Sequence, residues 1–330
     1  MPRDVRERRL LTLLQRDFPL CQRPFAALGE ELGMTEEEVL GDVKRMMRDG
    51  IIRRLGGVFD TRGLGFSSTL VAMKVPPARV EEVAEVVNSY VGVTHNYLRA
   101  HEVNLWFTVI AEEEAQVREI IDEIRARTGI REVWNLPTLR MFKIGTKFDL
   151  TGEDLTPEDV GLGPTTYERG GRVQLTPVER GLIRELQENM PLVQRPFKEI
   201  GERLGISEDE VMQRLRGFLQ KRYLRRLGAI LYHQNAGIKH NVMGVWRVPE
   251  ERVEAAGELM ASYPQVSHCY ERPTFPGWPY NLYTMLHGRS EEEYMRAVRD
   301  IARRLDLGEA DYALLRSVRE FKKTSMKYVM

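Results

Sequence analysis

The 330-residue chain balances 49 lysines and arginines against 49 aspartates and glutamates, and 42% of its residues are hydrophobic. That length suits about two to three domains with sizeable cores, and no stretch approaches the roughly 20 apolar residues of a membrane span. Zero net charge argues against a broad nucleic-acid footprint, the N-terminal MPRDVRERRL lacks a signal-peptide core, and Cys21 and Cys269 are too few for a disulfide framework, so a reducing cytoplasm is expected.

In chain order, Leu10, Leu11, Leu13 and Leu14 give a first helix an apolar stripe, and Pro24 to Leu32 reads as a second helix stopped at Gly33. Thr35 with Glu38 forms a capping box that opens a third helix carrying Val39, Val43, Met46 and Met47 inward. Two helices joined across a short glycine-containing turn make a helix-turn-helix. Its third helix begins with Glu36, Glu37 and Glu38, which would repel DNA phosphates, so a packing role is favoured over DNA binding.

From Arg53 the periodicity changes to that of strands. Leu55 to Phe59 and Ser68 to Val75 read as strands around a turn near Asp60 to Gly63. Pro76 to Ser89 is an amphipathic helix, Val91 to Arg99 and Asn104 to Ala111 are strands, Glu112 to Thr128 is a helix, and Val133 to Phe148 holds a last strand. The order βαββαβ is the split ferredoxin-like unit, so the fold class is α+β.

The chain then repeats itself. Pro19-Leu20-Cys21-Gln22-Arg23-Pro24-Phe25 returns as Pro191-Leu192-Val193-Gln194-Arg195-Pro196-Phe197, and Ile52-Arg53-Arg54-Leu55-Gly56 as Leu224-Arg225-Arg226-Leu227-Gly228. Further on, Val93-Thr94-His95-Asn96-Tyr97 returns as Val266-Ser267-His268-Cys269-Tyr270, and Arg140-Met141-Phe142-Lys143 as Arg319-Glu320-Phe321-Lys322. Copy two ends in a strand near Tyr312 to Tyr328. One module occurs twice, which suggests an internal pseudo-dimer. The expected domains are a helix-turn-helix over 1–54, a sheet domain over 55–149, a linker over 150–174, and their second copies over 175–226 and 227–330. Within the linker, Thr156-Pro157-Glu158-Asp159 has the form of a helix start.

Side chains two apart on a strand share a face, so His95, Tyr97, Arg99 and His101 form a row. His268, Tyr270 and Arg272 form its counterpart. The two strands read as twin walls of one or two pockets for an anionic, iron-bearing or iron-free ligand. Imidazole serves as iron ligand or as acid near neutral pH, and the pattern does not choose between them. Copy two inserts Pro273 to Tyr280, where Trp278 and Tyr280 are either an aromatic lid over a flat ligand or part of a longer hairpin with a buried tryptophan. Arg53, Arg54, Arg225 and Arg226 either hold carboxylates through their bidentate forks or are solvated pairs or helix C-terminal charges. Lys239 and His240 stand where copy one has Ser67 and Ser68, and His240 is a further candidate acid or ligand. His233 and His287 read as surface residues, and Arg23 and Arg195 as structural. Neither a phosphate-binding glycine loop nor a CxxC or HExxH metal motif occurs.

A helix-turn-helix followed by βαββαβ resembles the leucine-responsive regulator (Lrp/AsnC) superfamily, on Asp49-Gly50-Ile51-Ile52-Arg53-Arg54 followed by Leu64-Gly65. Within it the chain is more similar to the siroheme decarboxylases, whose two related subunits are sometimes fused. That likeness rests on Gln22-Arg23-Pro24-Phe25, Arg53-Arg54-Leu55-Gly56, His95-Asn96-Tyr97, Asn104-Leu105-Trp106-Phe107 and Arg140-Met141-Phe142-Lys143. In copy two it rests on Ser267 to Pro273 and on Trp278-Pro279-Tyr280-Asn281-Leu282.

The resemblance implies conversion of siroheme to 12,18-didecarboxysiroheme, in haem or haem d1 synthesis, by ring protonation and loss of carbon dioxide from two acetate arms. It implies His95, His268, Tyr97, Tyr270, His101 and His240 as catalytic candidates, with His95 and His268 also candidate axial ligands of the substrate's iron. Arg53, Arg54, Arg99, Arg225, Arg226, Arg272, Trp278, Tyr280 and Lys239 are implied to hold the ring and its carboxylates. The expected partner is siroheme or a related iron tetrapyrrole, with no cofactor beyond the iron it carries. DNA and membrane are not expected partners, and a homodimer of the fused chain is allowed. The competing expectation is a DNA-binding regulator that senses a small ligand or haem.

Overall fold

The computed structural model describes residues 4–16, 18–145, 162–165, 173–232, 240–288 and 290–329. Copy one runs α1 (Val5–Arg16), α2 (Pro24–Leu32), α3 (Glu36–Arg48), β1 (Ile52–Phe59), β2 (Ser67–Met73), α4 (Val80–Asn88), β3 (Val93–Arg99), β4 (Leu105–Ala111), α5 (Glu114–Thr128), β5 (Val133–Pro137) and β6 (Arg140–Ile144). After β7 (Leu162–Thr165), copy two runs α6 (Pro177–Leu186), α7 (Pro196–Leu204), α8 (Glu208–Gln220), β8 (Leu224–Leu231), β9 (His240–Trp246), α9 (Val253–Ala261), β10 (Val266–Glu271), β11 (Leu282–Gly288), α10 (Glu291–Leu305) and β12 (Tyr312–Lys323). Strand β7 falls inside the stretch expected to be a linker, and the helix start at Thr156 lies outside the described residues.

Local chemistry sets the helix ends. Thr35 Oγ1 accepts from the Glu38 amide at 3.2 Å while the Glu38 carboxylate accepts from the Thr35 amide at 2.8 Å, which closes the capping box. Helix α2 stops at Gly33, whose φ of 65° is left-handed backbone that glycine takes without steric cost. Arg23 and Arg195 pair with Glu36 and Glu208, so the first turn of each third helix is tied to the entry of the helix before it.

The helices of both copies share one core, in which Leu10, Phe25 and Val43 meet Leu182, Phe197 and Leu215. Strand β1 belongs with that core. It begins at Ile52, three residues ahead of the expected Leu55, and pairs antiparallel with β8 instead of joining the larger sheet. Ile52, Leu55 and Phe59 point into the helical core, and that burial holds the strand there.

Among the described residues the other strands form one run in the order β5-β2-β4-β3-β12-β9-β11-β10-β6-β7. The expected single strand from Val133 to Phe148 is broken at 138–139. Strand β5 stays beside β2 of its own copy, while β6 crosses to pair with β10 of the other. Strand β12 does the same without a break: Tyr312 to Arg316 lie against β9, and Ser317 to Lys323 lie against β3 of copy one. Each copy thus completes the other's sheet. Helices α4 and α5 cover one outer face through Val83, Val87 and Ile121, and α9 and α10 cover the other through Ala256, Met260 and Ile301. The inner faces meet through Trp106 and Leu136 of copy one and Val245, Trp278 and Leu315 of copy two.

Candidate active site

Between those inner faces lies a cavity of about 610 Å³, within the range of small-molecule sites. His95, Tyr97 and Arg99 of β3 line one side of it, and His268 and Tyr270 of β10, with Arg272 just past its end, line the other. The alternation of the two strands therefore brings both rows into one shared space.

The two rows are built alike. Thr94 Oγ1 lies 3.0 Å from His95 Nδ1 and Ser267 Oγ lies 2.8 Å from His268 Nδ1, which leaves Nε2 of each ring as the atom available to a ligand. Each ring stands beside the next aromatic residue of its row, with centroids 6.4 Å apart for His95 and Tyr97 and 6.0 Å apart for His268 and Tyr270. The guanidinium of Arg99 lies 5.6 Å from the centre of Tyr97, and that of Arg272 lies 5.0 Å from the centre of Tyr270. Arg99 Nη1 donates to the Leu315 carbonyl at 2.9 Å, and Arg272 Nη1 donates to the equivalent Leu136 carbonyl. Burial lowers both guanidinium groups to about 10, and they stay charged at neutral pH, as arginine does. They offer fixed positive charge beneath the cavity wall.

The imidazoles behave differently. Burial, then Lys323 and Arg53, holds His95 down at about 4. Burial, then His287 and Arg225, holds His268 down at about 3. Without a ligand both rings are neutral at pH 7, the state that binds a metal ion. A carboxylate set against either ring would raise it again.

The low values fix a pH dependence. Histidines at about 6.5 when unfolded and at about 3 to 4 when folded bind more protons in the unfolded chain. The ligand-free protein should therefore keep its full stability above pH 6.5. It should lose up to about 1.4 kcal/mol per pH unit per histidine as the pH falls from there toward 4. Urea melts between pH 7.5 and 4.5 check this; a midpoint unchanged below pH 6.5 would mean the rings are not held neutral.

Of the other candidate residues, only Arg225 lines the cavity among the described residues. Its Nε donates to Asp60 Oδ2 at 2.8 Å. Arg53 stands behind the His95 wall and donates to Ser325 Oγ at 3.0 Å. Arg54 and Arg226 do not reach the cavity. Arg54 donates to the carbonyls of Leu186 and Gly57, both at 2.7 Å, and Arg226 donates to that of Ala229 at 3.1 Å. Neighbours on a strand face opposite ways, so only one arginine of each pair can point to the site.

His101 also falls outside, because the chain leaves β3 at Arg99. His101 Nδ1 accepts from the Val103 amide at 3.0 Å and its ring packs edge-on against Trp278. Trp278 is no lid. It is 2% exposed and its Nε1 donates to the Tyr283 hydroxyl at 2.7 Å, with Tyr280 edge-on to it and Phe275 stacked on Trp134. The insert folds under the sheets as a plug, since its aromatic area is better buried there than over an open mouth. His240 opens β9 opposite Gly288, and Lys239 lies outside the described residues.

Among the cavity residues that sequence reasoning missed are His287, Glu320 and Lys323. His287, read as a surface residue, lines the cavity beside Tyr283 and Met285, and burial lowers it to about 4. The alternation with Leu282 and Leu286, which face the helices, was the available signal. Glu320 and Lys323 arrive on the crossing half of β12. Glu320 accepts from the Tyr97 hydroxyl at 3.0 Å, and burial together with that carboxylate raises Tyr97 above the ordinary phenol range.

Comparison with known proteins gives consistent matches. A family model described as the siroheme decarboxylase NirDL-like HTH domain matches residues 7–53 and 179–225, and one described as an AsnC-like ligand binding domain matches residues 63–143 and 235–322. The chain is 38% identical to the siroheme decarboxylase of Hydrogenobacter thermophilus, over 97% of this chain and 94% of that one. It is 48% identical to the siroheme decarboxylase alpha subunit of Nitratidesulfovibrio vulgaris, over 44% of this chain and 82% of that one. It is similar to the crystal structure of siroheme decarboxylase NirDL in complex with an iron-uroporphyrin III analogue, with a TM-score of 0.73 at 33% identity over 98% of this chain and 94% of that one.

Proposed function

The chain belongs to the siroheme decarboxylase family, and from that premise we propose that the cavity between its two copies binds siroheme and that two acetate carboxyl groups are lost there, between the His95 and His268 rows. The activity is that of a siroheme decarboxylase, and the regulator reading is not favoured. The observation that carries the site assignment is that both rows line one cavity of about 610 Å³. One fused chain supplies both walls, the arrangement that separate alpha and beta subunits would reach by association.

The substrate is a flat ring edged with carboxylates. Arg99, Arg272 and Arg225 give the cavity positive charge, and charge-assisted hydrogen bonds to carboxylates are among the stronger polar contacts. His95 and His268 present Nε2 to the ring, either to its iron or to an acetate arm. Neutral imidazole fits the first role directly. It fits the second once a bound carboxylate has raised its proton affinity.

Loss of carbon dioxide breaks the bond between the arm's methylene and its carboxyl carbon. The electron pair passes into the conjugated ring, which an acid has protonated, and the exposed methylene then takes a proton to become a methyl group while the ring returns the proton it had gained to that acid. Each acetate consumes one proton overall and releases one carbon dioxide, with 12,18-didecarboxysiroheme as the product. The ring itself is the electron sink, so the proposal needs no cofactor beyond the substrate's iron. Tyr97 and Tyr270 stand beside the imidazoles as proton partners.

Incubating the purified protein with siroheme under anaerobic conditions and weighing the tetrapyrrole tests this. The expected product is lighter by two carbon dioxide units. An unchanged mass, with siroheme bound, would overturn the assignment of the cavity as a decarboxylating site.

A further inference from the structure

The two rows match, but the strands that cross over to face them do not. Lys323 lies in register with His95, and Glu320 with Tyr97. The equivalent places on β6 hold Ile144 in register with His268 and Met141 in register with Tyr270. One half-site thus carries a carboxylate and an ammonium where the other carries two apolar side chains. The arginines behind the rows differ as well. Arg225 is bonded to Asp60 at 2.8 Å, whereas Arg53, near His95 and Tyr97, has the Ser325 hydroxyl as a partner.

These differences bear on the chemistry in opposite ways. Lys323 lies 3.9 Å from Glu320, and a substrate carboxylate resting near Lys323 and Arg53 is stabilised as an anion where it takes the place of Glu320. Stabilising the ground state more than the transition state slows a step that disperses that charge. A carboxylate beside Met141 and Ile144, with the nearby Arg225 shared with Asp60, gains less from its surroundings and loses less when carbon dioxide departs.

Resting on the siroheme decarboxylase reading, we propose that the half-sites divide the work: the half formed by His268, Met141 and Ile144 is where both carboxyl groups are lost, one per visit, while the half formed by His95, Glu320 and Lys323 grips the opposite edge of the ring. The two reacting acetates sit on adjacent pyrrole-derived rings in mirror-related places. Turning the macrocycle over about an axis in its own plane exchanges them. One reacting half-site therefore serves both arms if the ring leaves after the first loss and returns turned over. Each visit breaks one carbon–carbon bond, releases one carbon dioxide and takes up one proton, with no oxidant or reductant.

Single substitutions separate this from a scheme in which each half serves its own acetate. Siroheme affinity is read from the ring's absorbance and turnover from the masses of the products. His268→Gln is expected to bind siroheme within about threefold of the unmodified chain and to slow both carbon dioxide losses by about 10²-fold or more. His95→Gln is expected to remove both carboxyl groups with kcat little changed, while KM and Kd rise by about tenfold, a cost near 1.4 kcal/mol. Glu320→Met with Lys323→Ile keeps both histidines and is expected to weaken binding in the same way. A pre-bound ¹³C-labelled siroheme chased with excess unlabelled siroheme should release labelled ring that has lost one carboxyl group.

A His268→Gln chain that stops cleanly after one loss at near-normal rate would overturn the proposal. So would a His95→Gln chain as slow as His268→Gln, a His268→Gln chain of normal activity, or a chase in which all labelled ring emerges doubly decarboxylated. Failure of the unmodified chain to decarboxylate at all would instead strike the functional reading beneath it.

Discussion

A chain carrying both His95→Gln and His268→Gln is expected to remain folded and to lose roughly 10²- to 10⁴-fold in turnover, the usual contribution of a positioned acid or base. Both imidazoles line the cavity wall and are steered by the hydroxyl one residue earlier, Thr94 in one row and Ser267 in the other. Glutamine fills nearly the same volume and still bonds to those hydroxyls, so the sheets keep their pairing. It can neither donate and regain a proton at neutral pH nor bind iron as imidazole does. Circular dichroism and urea melts should be close to those of the unmodified chain, with the pH-sensitive loss of stability below pH 6.5 reduced because two neutral histidines are gone. Normal turnover in this double variant would remove both rings from the chemistry.

The second large effect concerns the crossing strand. Phe142→Ala is expected to cost about 3–5 kcal/mol, as for other buried phenylalanines cut to alanine, and to weaken siroheme binding with it. Phe142 sits on β6 of copy one but is 2% exposed within the core of copy two, beside Val253, Ala256 and Met260. Its ring lies so close to α9 that a Cβ added at Gly257 would fall 2.5 Å from it, which is why that helix carries glycine there. Removing the ring unties β6 from β10 and with it Met141 and Ile144, part of the cavity wall. The counterpart Phe321 is only partly buried against the other core, so Phe321→Ala should cost clearly less. Urea denaturation of both variants measures the difference; equal and small losses would mean the strand exchange contributes little.

How much of this could be read beforehand depended on how local the cause was. The capping box at Thr35 and Glu38 and the stop at Gly33 are set by neighbours within four residues, and they stand in the structure as the sequence implied. Strand parity put His95, Tyr97 and Arg99 on one face, and the repeat supplied His268, Tyr270 and Arg272. Parity also implied that Arg53 and Arg54 could not both face one ligand, an inference the adjacent arginine pair obscured. The exchange of β6 and β12 was not legible, because a strand's own residues say which face is buried but not which sheet it joins. Glu320 and Lys323 reached the site by that exchange, and so did the mismatch between the half-sites. Trp278 stayed open between two readings for a related reason: an aromatic insert serves a lid and a plug equally well until the space beneath it is known, and the buried reading is the one the structure bears out.

The most direct measurement is a crystal structure of this chain soaked with siroheme, with the iron located by its anomalous scattering. The account expects one iron peak inside the cavity between β3 and β10, the ring plane passing between the His95 and His268 rows and carboxylates against Arg99, Arg225 or Arg272. An iron peak on the outer helices or on the paired β1 and β8 ribbon, with the two rows unengaged, would contradict it.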